Sequence, residues 1–470
     1  MARVADVAAA AQVRLPETLD RLADYLSYPA ISCEEAHRAD VLRLAERVRD
    51  DLAALGMQRA RVLGCSEPKA QPLVAAEWLG AGPDRPVVLI YGHLDLQPVG
   101  EPEWRTDPHR CVRVGDRIYA RGASDDMGGW LSHLAAIQAW MAAGGPPCNL
   151  RLVIEGEEEI GSPYLERYID EHPDAFAADV MVLTDCENPS TDVPGLTVSL
   201  RGLLKVELVC EALEADVHSG LWGGMVPDPA NAMFLLVARL LDADGRLAVG
   251  RVPLDAGRAA AGAKVPLTDA LIRTAAHLRD DVSPLPTRGR SAAEWMWWQP
   301  AITVLATSLP NPGAQKNAIR RRASCLLSVR VAPGQTPAEL LAALEAELLR
   351  DAPGGVAVSV HAAPNPGEAW LYQPKGPAFA AADRAYEAGW GRGLVQVGIG
   401  GTIPFVAMFG RRFSDLPLIL NGVLDPESTA HGPNESLHVG VLEKMIVTNV
   451  HLYAELGALS PAALRHTSEG

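Results

Sequence analysis

The chain has 470 residues, 48% hydrophobic and 21% charged, a soluble globular balance with length enough for two domains. Its formal net charge is −16 and no Lys/Arg-rich run offsets it, which argues against a nucleic-acid partner. No window reaches the roughly 18 apolar residues of a membrane span, so no membrane partner is expected either.

Met1 to Leu15 carries arginines among alanines and lacks the apolar core of a signal peptide. Two helices follow to about Leu55, broken near Tyr28-Pro29. In the second, Val41, Leu44, Val48, Leu52 and Leu55 recur on one face and Gly56 supplies the stop. Strands are expected at Arg59–Leu63, Leu73–Trp78 and Val87–Tyr91, the last an unbroken apolar run suited to burial on both faces. A further strand, Arg117–Ala120, leads to a helix from about Met127 to Ala143. Leu150–Ile154 and Val180–Thr184 read as buried strands, and Ser162-Pro163 as a helix cap followed by proline at the first helical position. Strands alternating with helices predict an α/β domain with a mostly parallel sheet flanked by helices.

Near Leu196 the texture changes. Thr197–Cys210 alternates as one half-buried strand with a slip of phase near Gly202. A helix over Ala232–Leu241, strands at Ile302–Leu305, Ser324–Val331 and Val356–Val360, and a helix at Pro337–Leu349 make an inserted α+β domain of residues 199–370. The discontinuous α/β domain comprises 1–198 and 371–470, with helices at Ala378–Ala388 and Val439–Leu456 and a short strand at Leu418–Leu420. The seven cysteines (Cys33, Cys65, Cys111, Cys148, Cys186, Cys210 and Cys325) are odd in number and form no CxxC pair. Reduced thiols and a cytoplasmic location are expected.

The polar residues just beyond each expected α/β strand form a pattern. His93 and Asp95 follow the first, Asp125-Asp126 follows Arg117–Ala120, Glu157-Glu158-Glu159 follows Leu150–Ile154, Asp185 follows Val180–Thr184, and His431 lies after Leu418–Leu420. In open α/β sheets the carboxyl ends of the strands share one edge, where ligands bind. Singly, each residue has an ordinary use: Asp125 and Asp126 could cap a helix, and Glu157–Glu159 could be a solvated loop. Together, carboxylates on one rim with no lysine in these loops call for positive charge, which a pair of divalent metals supplies. A carboxylate that holds no metal could then take a proton from water.

At these residues the chain resembles the dinuclear zinc exopeptidase and deacylase family: carnosinase-type dipeptidases, aminoacylase, carboxypeptidase G and acetylornithine deacetylase relatives. It is most like the dipeptidase branch. The resemblance rests on YGHLDLQP (91–98), YARGASDDMGG (119–129), EGEEEIGS (155–162), LTDCENP (183–189), DVHSGLWGG (216–224), QKNAIRRRASCLLSVRVAP (315–333), GGTIPF (400–405) and STAHGPNES (428–436). It implies a zinc-exopeptidase catalytic domain and an inserted lid through which two subunits pair as a homodimer. It implies metal-dependent hydrolysis of an amide bond in a small carboxylate-bearing substrate such as a dipeptide, with two Zn2+ ions that Mn2+ can replace. Asp125 would bridge the metals, His93 and Asp185 would complete one site, and Glu159 and His431 the other. Glu158 would be the general base that activates the bridging water, and Asp95 would orient His93. His218 and Asn317 would reach a neighbouring subunit's site, the first to stabilise the oxyanion and the second to hydrogen-bond substrate. Arg330 would hold the substrate carboxylate, beside Gly401 and Thr402.

Two positions depart from the dipeptidase pattern. Gly398 and Ile399 stand where an Arg-Glu pair is usual, and Ile399 cannot offset the desolvation of a substrate ammonium, which points to a capped or less polar amine side. Met127 stands where lysine is common and is expected to pack. Trp295, Trp297 and Trp298 are expected in core or dimer packing, and Cys186 as a buried filler. The rivals to peptide hydrolysis are an N-acyl amino acid deacylase or carbamoylase, and a biosynthetic acyl-transfer enzyme using the same centre.

Overall fold

The strand Val87–His93 lies inside a six-stranded sheet ordered Gln58–Leu63, Leu73–Trp78, Asn149–Glu155, Val87–His93, Val180–Leu183, Leu418–Leu420. This computed structural model describes residues 3–100, 103–254, 256–401, 404–414 and 416–465. The last four strands of the sheet run parallel and the first two are antiparallel. Val88 and Ile90 join the core on one face, while Leu89 and Tyr91 join a second core on the other. Period-two alternation therefore explains why every second residue of this apolar run has a different helix layer to fill.

Helix Gly128–Ala142 is buried almost all round, because it is sandwiched between the sheet and the helices Val4–Val13 and Val439–Gly457. Its Trp130 is fully buried, stacks near Tyr25 and donates from Nε1 to the His93 carbonyl at 2.8 Å, tying the helix to the strand end. Helix Arg38–Ala54 buries the expected face through Val41, Leu44, Val48 and Leu52. Among the described residues, no helix is long and apolar enough to cross a membrane, and all seven cysteines are free thiols.

Arg117–Tyr119 does not belong to the parallel sheet. It pairs with Val112–Val114 and Ser436–His438 in a separate three-stranded sheet. Nor is Thr197–Cys210 one strand. Gly195–Leu200 pairs with Val395–Ile399 and Trp370–Leu371, whereas Gly202–Glu211 belongs to another sheet, so the slip at Gly202 marks the passage between them. Ser162 caps nothing: its hydroxyl donates to Glu155, and the helix begins at Leu165.

The inserted α+β domain is built on four antiparallel strands ordered Ala301–Thr307, Arg322–Val331, Gly202–Glu211, Ala357–Ala362. Leu204, Val206, Leu208 and Cys210 meet Met233, Leu236, Leu340 and Leu344 of two covering helices, Pro229–Arg239 and Pro337–Leu348. Both helices start with proline behind a side-chain cap, Asp228 in one and a Thr336–Glu339 capping box in the other. Trp298 is fully buried and donates to Ser199 at 2.8 Å, while Trp297 packs with Val397, so these tryptophans are core. Trp295 instead lies beneath Arg246 and Arg251.

Candidate active site

Four of the segments that carry the expected ligands leave the carboxyl edge of the parallel strands. His93 ends its strand, Asp185 follows Val180–Leu183, Glu158 and Glu159 follow Asn149–Glu155, and His431 lies beyond Leu418–Leu420. Asp125 arrives by another route, on the turn between the small sheet and helix Gly128–Ala142. It is nonetheless the hub. His93 Nε2 lies 3.1 Å from Asp125 Oδ1 and 3.9 Å from Asp185 Oδ2. His431 Nε2 lies 3.0 Å from Asp125 Oδ2 and 3.2 Å from Glu159 Oε2. Two triads result, His93–Asp125–Asp185 and Asp125–Glu159–His431, each with its ligand atoms within 4.8 Å of one another. The imidazole and carboxylate donors fit zinc or a similar divalent ion, with one carboxylate common to both triads.

The surrounding contacts fix these donors. The His93 Nδ1 contacts the Asp95 backbone carbonyl at 3.1 Å and its carboxylate at 3.4 Å. That carboxylate also accepts the Glu158 and Glu159 backbone N–H groups at 3.1 and 3.0 Å, so Asp95 holds two ligand-bearing loops in register. Gln97 donates to Glu159 Oε2 at 2.7 Å. Asp126 turns away from both triads and accepts Thr184 Oγ1 at 2.6 Å and His93 N at 3.3 Å. Its carboxylate fills space a side chain would need at Gly92 and Gly129: added Cβ atoms there would meet it at 2.5 and 2.0 Å. Glu157 braces the turn by accepting the N–H groups of Gln71 and Tyr164.

Glu435, which drew no attention in the sequence, accepts the backbone N–H groups of Gly122, Ser124 and Asp125 at 2.9, 3.0 and 3.1 Å. Arg121 pairs with it at 2.9 Å and donates to the carbonyls of Pro98 and His431. Both side chains are buried, and breaking such a pair costs about 3–5 kcal/mol. His431 itself sits at φ 64°, a left-handed conformation uncommon outside glycine, and the Arg121 contact holds its carbonyl there.

Crowded acids shape the electrostatics. Burial, with Asp125 adding to it, pushes Asp185 up to about 7, and the hydrogen bonds His431 donates to Asp125 and Glu159 raise it to about 11. Burial also lifts Glu158 well above the carboxylate range, against the pull of His93. Its carboxylate has no hydrogen-bond partner among the described residues, while its backbone is held by Asp95. Protons on Asp185 and His431 compete with a cation, and both are raised, so lower pH favours the proton. Metal uptake is therefore expected to release protons, with apparent affinity falling about tenfold per pH unit for each proton displaced below pH 7. Calorimetric titration in buffers of different ionisation enthalpy measures both; affinity flat from pH 5 to 7 would contradict it.

The other expected site residues lie in the inserted domain or next to it. His218 and Asn317 are exposed neighbours on the small ribbon where Val217 and His218 pair with Ile319 and Ala318. His218 Nδ1 accepts the Gly220 N–H at 3.0 Å, and neither residue bonds the acidic cluster of its own chain. Arg330 is half-buried on Arg322–Val331, opposite Leu203. Beside it, Arg201 donates to the Gly400 carbonyl at 3.0 Å; burial and then Arg330 lower its pKa to about 10. Gly401 follows that contact, and Thr402 lies outside the described residues. Met127 and Cys186 are buried packing residues.

Residues 89–455 match the model of peptidase family M20/M25/M40. The chain belongs to that family. A cysteinylglycine-S-conjugate dipeptidase of Corynebacterium striatum, 32% identical over 378 residues, covers 80% of this chain and 82% of its own. Among solved structures, the di-peptidase Dug1p of Saccharomyces cerevisiae superposes at TM-score 0.76 and 23% identity, over 97% of this chain and 99% of its own. Human carnosine dipeptidase 1 does so at TM-score 0.76 and 22% identity, over 98% and 100%. The protein is a hydrolytic metallopeptidase of the dipeptidase branch of family M20/M25/M40.

Proposed function

We propose that the protein cleaves dipeptides bearing a free carboxylate, in a centre that holds two divalent ions. The observation that carries this reading is the pair of triads sharing Asp125, with a Glu158 carboxylate that has no hydrogen-bond partner among the described residues. His93 and Asp185 would hold one ion, Glu159 and His431 the other, with zinc the best match to this donor set and manganese an alternative. When bound, the ions supply Lewis acidity that polarises the scissile carbonyl and acidifies water. Glu158 accepts the proton of the attacking water and returns it to the leaving amine. Asp95 keeps Glu158 aimed by gripping its N–H.

Residues 199–370 act as a lid on a catalytic domain of residues 1–198 and 371–470, since the chain leaves and returns through the paired strand residues Leu200 and Trp370. The working form is a homodimer, in which His218 and Asn317 serve the partner's centre and Arg330, with Gly401 and Thr402, receives the substrate carboxylate. Support comes from exposed apolar side chains on the inserted domain, Leu221, Trp222, Met225, Phe234 and Leu235, and from the open edge strand Ala301–Thr307 with Val304 and Leu305 uncovered. The free cysteines suit a cytoplasmic setting.

The test loads the protein with zinc, then with manganese, and compares dipeptides with their N-acetyl counterparts. Hydrolysis of the free dipeptides is expected, and exclusive cleavage of the acetylated forms would make it a deacylase. Equimolar mixing of inactive His218→Ala and Glu158→Ala subunits should restore about a quarter of wild-type turnover, because half of the dimers are hybrids and one centre of each hybrid is intact. No recovery in a proven hybrid would remove His218 from the partner's chemistry.

A further inference from the structure

An apolar cavity of about 230 Å³ is walled in part by the residues that follow Asp185 in the chain. Its walls include two segments adjoining triad residues in the chain and a third that leads to Gly401. Glu187, Asn188 and Pro189 follow Asp185, Pro426 precedes His431, and Val397 and Gly398 lead into Gly400-Gly401. The roof is apolar, built by Leu267, Leu271, Ile272, Met296 and Trp297. The space exceeds the roughly 150 Å³ that takes a benzene ring in an engineered apolar cavity. Gly398 keeps one wall flat: a Cβ there would meet Trp297 Cβ and Ser199 Oγ at 2.7 Å each.

Glu187 is the one charged residue lining this cavity, and its carboxylate has no hydrogen-bond or ion-pair partner among the described residues. Its backbone, by contrast, is fixed. Glu187 bridges Leu424, Asn188 N donates to the Leu424 carbonyl at 2.8 Å, and Asn188 Nδ2 donates to Gly422 at 2.8 Å. The neighbouring Asp425 is already engaged by Arg117 at 2.9 Å. Glu187 stands two residues beyond Asp185 in the chain. A carboxylate on a fixed backbone at the wall of an apolar pocket, two residues from Asp185, is matched by a ligand with a cation beside an apolar group.

We propose that this cavity receives an apolar side chain on the amine-side residue of the dipeptide and that Glu187 meets that residue's free ammonium. The proposal rests on the dipeptide reading above. It also supplies, from a different segment, the negative charge that Ile399 cannot provide.

The test compares Phe-Gly, Gly-Gly and 3-phenylpropanoyl-glycine, the last having the shape of Phe-Gly without its ammonium, on metal-loaded enzyme. Wild type should favour Phe-Gly over each of the others by about tenfold or more in kcat/KM. Glu187→Gln should raise KM for Phe-Gly and shrink its advantage over the ammonium-free analogue about tenfold. Ala276→Trp, which fills the cavity from one end, should shrink the advantage over Gly-Gly. Equal losses on all three substrates in Glu187→Gln, or a wild type indifferent between Phe-Gly and Gly-Gly, would overturn the proposal while leaving dipeptide hydrolysis standing. Cleavage of none of the three by metal-loaded enzyme would overturn both.

Discussion

Glu158→Gln is expected to lose about 10²–10⁴ in kcat while its metal content stays at the wild-type level. The side chain belongs to neither triad, so its removal leaves every proposed ligand in place. Glutamine keeps the size and the backbone N–H that Asp95 grips at 3.1 Å, so the turn stays where it is. What disappears is the proposed function of the carboxylate, accepting a proton and giving it back. Steady-state kinetics beside elemental analysis of the same sample separates the cases. Wild-type turnover would take Glu158 out of the reaction, and lost metal would make it a ligand.

Asp125→Asn should empty both cation positions and abolish turnover. Its two oxygens face opposite triads, one 3.1 Å from His93 and the other 3.0 Å from His431. The amide loses the negative charge and turns a donor NH2 toward one of the positions. Asp126→Asn is the control from the adjacent residue. Asp126 faces Thr184 and the His93 N–H, contacts an amide oxygen can accept, so this variant should keep its metal. Elemental analysis after gel filtration decides. Full metal in Asp125→Asn, or equal loss in both variants, would end the shared-ligand assignment.

Much of this was legible in the sequence because the relevant signals are local. The apolar run ending in His93 and the polar residues after Asn149–Glu155, Val180–Leu183 and Leu418–Leu420 could be placed on one edge by strand order alone. Asp125 was expected among these groups and lies at the hub of both triads, but it arrives by another road. The alternation in Arg117–Tyr119 is the same whether that strand joins the large sheet or pairs with Ser436–His438, and the choice is made by residues some three hundred positions away. Glu435 carried no local signal, since an acid in a polar loop reads as solvated until Arg121 and three N–H groups close around it. Asp95 was expected to steady His93; its grip on Glu158 and Glu159 depends on a contact between two loops that no spacing records. The break at Arg201 was visible only as a disturbed phase, because periodicity reports that a strand changes face without saying which sheet it enters.

The grip of Glu435 on Asp125 joins residues 310 apart in the chain. A nascent polypeptide emerging from the ribosome would therefore display Asp125 and His93 long before the clamp that sets Asp125 has been translated. Assembly of both triads therefore waits until His431 and Glu435 have been synthesised, some three hundred residues after Asp125.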